Sequence, residues 1–96
     1  MHAVVRTYSG KGAKELFDVL EKSKADVEKL LRAIKGFVSL SLVRTANGGV
    51  SLSVFQDKAG TDESTRVARD WVSKNASNTG VAAPTISEGT VILHLK

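Results

Sequence analysis

The sequence predicts an α+β chain in which strand, helix, hairpin, helix and strand follow one another (βαββαβ). The helices would lie on one side of a four-stranded antiparallel sheet. Three observations predict this. Residues 37–57, FVSLSLVRTANGGVSLSVFQD, hold two alternating apolar and polar runs joined by Asn47-Gly48-Gly49, a strong hairpin signal. On each side of the hairpin lies a segment whose apolar residues recur three and four apart, as on a helix. An alternating run suited to a strand stands near each end of the chain.

The elements follow in order. The first strand is read over residues 2–8 and helical material over residues 11–35. There Ala13, Leu16, Phe17 and Leu20 form one apolar set and Val27, Leu30, Leu31 and Ile34 a second. The segment Glu21-Lys22-Ser23-Lys24-Ala25-Asp26 separates them, and Ser23 with Asp26 resembles a capping signal, so a break near Ser23 is expected. Gly36 is expected to end the helix. After the hairpin, a helix over residues 61–76 starts at Thr61 or Asp62 as N-cap and carries the stripe Val67, Ala68, Trp71 and Val72. A loop over residues 77–89 leads to a last strand at residues 90–95.

Side-chain parity on the strands carries the quaternary expectation. Val38, Leu40, Leu42, Val50, Leu52 and Val54 all occupy even positions and are expected to face the helices together. A two-residue loop would separate them, so a loop of three or five residues is expected, pairing Leu42 with Leu52 and Leu40 with Val54. Ala3, Val5 and Thr7 would share that face with Val91, Leu93 and Leu95, with Val5 opposite Val91 and Ala3 opposite Leu93. The other face would then show His2, Val4, Arg6, Tyr8, Ile92 and His94, together with Phe37, Val43, Phe55 and serines. Two helices cover only one face of such a sheet. The second face is too apolar for water, so a homodimer packed sheet against sheet is expected.

Size and composition narrow the function classes. Ninety-six residues make one domain, residues 1–96, with a modest core of its own. With no cysteine, the chain has no disulfide, thiolate nucleophile or Cys-based metal site, which suits a reducing cytoplasm. The N-terminal segment does not read as a signal peptide, and no apolar run approaches the ~20 residues of a membrane span. The net charge is +4, but the basic residues interleave with acids at helical spacing and form no stripe with aromatics. No nucleic-acid or membrane partner is expected.

The element order is that of the ferredoxin-like fold, with strand order 4-1-3-2. With Gly36-Phe37-Val38-Ser39 opening the second strand, Phe55-Gln56-Asp57-Lys58 leaving the third, and the helix that follows, the chain resembles the dimeric α+β barrel superfamily. Within it, the chain resembles the small proteins related to antibiotic-biosynthesis monooxygenases. The resemblance implies a homodimer with a pocket for a small aromatic molecule between sheet and helices. It also implies cofactor-independent, monooxygenase-like chemistry if the protein is an enzyme. Haem-degrading and oxygenase-like relatives tend to carry a Trp near the end of the third strand or a His on the second helix. This chain has Phe55 at the first place and no His at the second, so no haem, metal or other cofactor is expected.

The candidate pocket residues are Trp71, Phe17, Leu52 and Val54, with Arg6 and Tyr8 as polar candidates on the barrel-facing side of the first strand. Trp71 is either a stacking wall for a ligand or a core anchor. Arg6 could hold a carboxylate and Tyr8 could donate a proton, or both pair across the dimer, with Glu88 as a partner. His2 and His94 could neighbour each other, but no third ligand stands with them for a closed zinc site. Ser9-Gly10-Lys11-Gly12 reads as a permissive strand-to-helix turn, because Glu15 takes the third glycine place of a dinucleotide fingerprint. Ser39, Ser41, Ser51 and Ser53 lack an activating group and read as small residues that let two sheets approach. The alternative to a ligand-binding protein is a non-catalytic dimerisation or stress-related module, with a regulator as a third class.

Overall fold

The computed structural model describes Met1–Lys96. The elements are β1 (His2–Ser9), α1 (Ala13–Lys22), α2 (Lys24–Arg32), β2 (Phe37–Thr45), β3 (Gly48–Phe55), α3 (Lys58–Asn75) and β4 (Thr85–Thr90), with a 3-10 turn at Ser77–Thr79. The four strands form one antiparallel sheet in the order β2-β3-β1-β4, which is the order 4-1-3-2 read from the opposite edge. This is the ferredoxin-like α+β fold. No helix is long and apolar enough to cross a membrane.

The first helical stretch divides at Ser23, where no apolar side chain is available to bury. Ser23 joins the two helices through its backbone, its N–H donating to the Leu20 carbonyl at 3.1 Å and its carbonyl accepting from the Val27 N–H at 3.0 Å, and the expected side-chain cap does not form. Leu16, Phe17 and Leu20 of α1 and Val27 and Leu31 of α2 are buried against the sheet. Helix α3 starts at Lys58, before the expected Thr61, because Asp57 is the N-cap: its Oδ1 accepts from the Gly60 N–H at 3.2 Å. Asp57→Ala is expected to remove about 1 kcal/mol of stability, read by urea denaturation, while Asp57→Asn keeps most of it.

The parity of the strands differs from the expected one. Thr45 pairs with Gly48, so the hairpin loop is the two-residue Ala46-Asn47. Leu42 therefore opposes Ser51 and Leu40 opposes Ser53, rather than Leu52 and Val54. Leu40 and Leu42 still face the helices, but β3 turns Gly49, Ser51, Ser53 and Phe55 toward them. Val50, Leu52 and Val54 go to the opposite face. β1 follows β3 through the pairs Val4–Ser53, Arg6–Ser51 and Tyr8–Gly49, so its inward residues are Val4, Arg6 and Tyr8 instead of Ala3, Val5 and Thr7.

The reason is a bulky ring on the helix layer. A Cβ built on Gly49 would lie 2.3 Å from Phe17 Cζ, so the ring occupies the space that an even-register side chain would have filled. Small residues on β3 make that room. At the far end of the hairpin a register shift between Phe37 and Ser39 brings Phe37 opposite Phe55. Their rings meet edge to face with centroids 5.7 Å apart.

Strand β4 lies at Thr85–Thr90, five residues before the expected start, so Val5 pairs with Ser87 and Ala3 with Gly89. The expected pairs of Val5 with Val91 and Ala3 with Leu93 do not form. Only one ladder bond continues past the strand, from the Val91 N–H to the Met1 carbonyl at 2.9 Å. Beyond it Ile92, Leu93 and Leu95 are 97%, 73% and 82% exposed.

The sheet face away from the helices takes Ala3, Val5 and Thr7 from β1 and Val50, Leu52 and Val54 from β3. It takes Ser39, Ser41 and Val43 from β2 and Thr85, Ser87 and Gly89 from β4. Not one of these is charged. The inversion of parity has carried the only ionisable groups of the central strands to the helix side.

Candidate functional site

Arg6 is the only charged residue among the buried ones, at 2% exposure. It enters the interior because β1 alternates Val4, Arg6 and Tyr8 toward the helices across from Ser53, Ser51 and Gly49. Its guanidinium meets hydroxyls. Nη1 donates to Ser51 Oγ at 3.2 Å and, more weakly, to Ser53 Oγ at 3.5 Å. Nη2 donates to Ser64 Oγ at 2.7 Å and Thr65 Oγ1 at 3.0 Å, both on α3. Ser64 in turn donates its proton to the Thr61 carbonyl at 2.7 Å, which fixes its oxygen as an acceptor for Arg6. Nε is buried with no partner.

No carboxylate reaches this cation. Arg32 pairs with Glu28, Arg44 with Asp18 and Glu21, and Arg66 with Glu63 and Asp70, all at the surface. Glu88, weighed as a partner for Arg6 or Tyr8, instead accepts from His2 Nε2 at 3.0 Å and lies 3.6 Å from Lys58 Nζ. Burial lowers the pKa of Arg6, and the nearby Tyr8 acts the other way. A guanidinium starts so high that it stays charged. Burial raises the pKa of Tyr8, partly offset by the charge of Arg6, so Tyr8 is a neutral phenol at physiological pH.

Two cavities meet at this pair. One, of about 50 Å³, lies between the sheet and the helices and is walled by Trp71, Leu20, Leu31, Leu40 and Leu42, with Arg6, Tyr8, Ser51 and Ser53 as its polar side. The other, of about 200 Å³, opens between α3 and the segment that leads into β4, with Thr65, Arg69, Val81, Pro84 and Ile86 around it. Arg6, Tyr8, Ala68 and Val72 line both, and neither contains an Asp or Glu. Both are smaller than the ~300 Å³ at which drug-sized pockets begin.

The structure thus brings together Arg6, Tyr8 and Trp71. The side on which Arg6 and Tyr8 lie is corrected: they face the helices, not the open face of the sheet. Phe17 packs in the core, its ring edge to face with Tyr8 at 6.0 Å, and lines neither cavity. Leu52 and Val54 stand on the opposite face of the sheet. Ser51 and Ser53, read as spacers between two sheets, are the hydroxyl partners of Arg6, while Ser39 and Ser41 do lie on the open face. Ser64 and Thr65 were not singled out in the sequence. The signal for all four hydroxyls was Arg6 itself on a central strand, since a cation buried there requires polar neighbours.

His94 falls beyond β4 and His2 bonds Glu88, so the two histidines do not form a pair across the strands. No group of three metal-ligating side chains comes together. The turn through Gly12 is a close backbone crossing, since a Cβ there would lie 2.5 Å from the Thr79 carbonyl oxygen.

No protein-family model matches the chain, and no curated protein matches it. Solved structures do. A protein of unknown function from Nitrosomonas europaea superposes with a TM-score of 0.69 at 16% identity, over 99% of this chain and 91% of that one. A monooxygenase from Streptomyces coelicolor, crystallised with the ligand nanaomycin D, gives 0.66 at 15% identity over 99% and 89%. A dimeric ferredoxin-like protein from an uncultured marine organism gives 0.64 at 13% identity over 99% and 95%. At these identities the likeness establishes the shared ferredoxin-like fold.

Proposed function

We propose that the chain acts as a homodimer in which each subunit binds one small aromatic molecule beside Trp71, Tyr8 and Arg6. The observation that carries this is a pair of adjoining, largely apolar cavities, one walled by Trp71 and the other of about 200 Å³, on whose shared wall the buried cation Arg6 and the Tyr8 hydroxyl converge. That is the usual build of a small-molecule site. Trp71 and the leucines supply ring contact, and the polar side sets orientation. A neighbour of the same fold crystallised with a ligand supports the reading. Monooxygenase-like conversion of the bound molecule is its catalytic form, tested by oxygen uptake. The absence of cysteine supports a place in the cytoplasm.

The uncharged sheet face and the exposed apolar side chains of residues 92–95 support a second copy of this chain as the cover. Dimeric proteins among the structural neighbours support the same arrangement.

Trp71 is the only tryptophan, so its fluorescence reports directly on the cavity. Single-ring aromatics, quinones, haem and small acids are screened by thermal shift and by this fluorescence. A single-ring compound is expected to raise the melting temperature and perturb the emission. Trp71→Ala is expected to remove the thermal shift while the helical circular dichroism stays intact. A screen without a hit would sink the pocket reading. It would favour the second one, a dimerisation module, for which the small volume beside Trp71 speaks.

A further inference from the structure

The geometry points to a ligand that is an anion: a single ring bearing a carboxylate or phenolate oxygen, docked on the Arg6 guanidinium. This rests on the pocket reading above and names the chemistry of its occupant.

Charge is the first argument. A guanidinium removed from water loses much of its solvation, and neutral hydroxyls restore only part of it. Proteins ordinarily close this gap with a carboxylate, as the surface arginines of this chain do. Arg6 has four hydroxyl contacts and no acid, and its Nε–H is unanswered. The missing counter-charge has a place to sit, because the residue lines both cavities. Arg69, which makes no ion pair, adds a second cation at the wider one.

Hydrogen bonding is the second argument. Thr65 accepts from Arg6 and lines the wider cavity, which leaves its own proton available to an acceptor there, while Ser51 and Ser53 keep theirs available at the smaller one. Tyr8 remains a neutral phenol and supplies another donor at the same wall. An anionic oxygen accepts from the donors at this wall and compensates the charge, whereas a neutral hydroxyl or amide leaves the charge uncompensated.

Volume is the third argument. A cavity of about 150 Å³ takes a benzene ring. The larger cavity, at about 200 Å³, suits one ring with one small substituent, and a macrocycle would not fit.

The test compares isosteres on the full-length protein at neutral pH by titration calorimetry. The probes are benzoate against benzamide, and 4-nitrophenol titrated through its own ionisation. Benzoate is expected to bind about ten- to a hundredfold more tightly than benzamide, the range of one charged hydrogen-bonded contact. Affinity for 4-nitrophenol is expected to rise with its ionised fraction. Arg6→Met is expected to bring benzoate and benzamide within about twofold of each other, with Arg6→Lys in between. If benzamide binds the native protein as well as benzoate does, the anion inference is overturned while the pocket stands. That comparison needs no variant to fold. Benzoate affinity unchanged in a folded Arg6→Met protein overturns it as well. If neither ring binds and the wider aromatic screen is also empty, the pocket reading fails with it.

Discussion

Leu52→Asp is expected to leave the chain folded but monomeric at micromolar concentration, where the native protein is expected to sediment as a dimer. Leu52 sits between Val5 of β1 and Ser41 of β2, on one of the two central strands, so it lies at the middle of the uncharged face. It is 38% exposed in the single chain, and a carboxylate there stays in water until a second sheet covers it. In a twofold dimer the same position occurs twice, and two unpaired carboxylates would be buried close to the axis. An uncompensated buried charge costs about 3–5 kcal/mol, so the dissociation constant is expected to rise more than a hundredfold. Leu52→Ser, which removes apolar area without adding charge, is expected to weaken association far less. Loss of residues 92–96 is expected to weaken it too, since Ile92 and Leu95 have no cover within their own chain. A native protein that sediments as a monomer, or a Leu52→Asp protein that sediments as a dimer, would refute the sheet-to-sheet arrangement.

This prediction keeps the expected dimer but changes the residues that make it. The order and type of the elements were legible because they rest on periodicity over long segments. The 3–4 spacing of α1, α2 and α3, and the polar interruption at Ser23, survive small errors of boundary. Parity does not, because one residue more or less in the hairpin loop turns a whole strand over. The sequence shows apolar residues at even positions on both β2 and β3, and a shared face was the economical inference. What it could not show is that Phe17, arriving from a helix, would take the inner volume above β3.

Strand β4 was displaced for a related reason. TISEGT has little apolar alternation because it is an edge strand whose inward positions, Ile86 and Glu88, lie at the rim of the helix layer. The apolar segment after it looks more like a strand but has nothing in its own chain to pair with. Arg6, Tyr8 and Trp71 were legible as polar and aromatic candidates from residue type alone. That they converge follows from the inverted parity. Their hydroxyl partners come from β3 and α3, far away in sequence, and become visible only once the register is known.

The glycines of the hairpin give the sharpest test of this account. Asn47-Gly48-Gly49 reads as turn chemistry, yet the turn is Ala46-Asn47 and both glycines lie within β3. If Gly49 serves the Phe17 ring, Gly49→Ala is overpacking: its Cβ would sit 2.3–2.6 Å from three ring atoms. Overpacking of this kind costs about 1–3 kcal/mol, which in a domain of this size lowers the melting temperature by roughly 5–20 °C. Phe17→Leu in the same chain shrinks the offending group, so the double variant is expected to be more stable than the sum of the single losses predicts. The expected coupling is at least about 0.5 kcal/mol. Gly48→Ala is the control. There the Cβ would meet the Tyr8 carbonyl oxygen at 2.4 Å at a φ of +152°, a backbone conflict that no change at Phe17 relieves. Because Phe17 packs edge to face on Tyr8, Gly49→Ala is also expected to disturb the wall that Tyr8 shares with Arg6. Additive losses for Gly49→Ala and Phe17→Leu would mean that the glycine serves the strand itself, and the ring could no longer explain why β3 turns its serines inward.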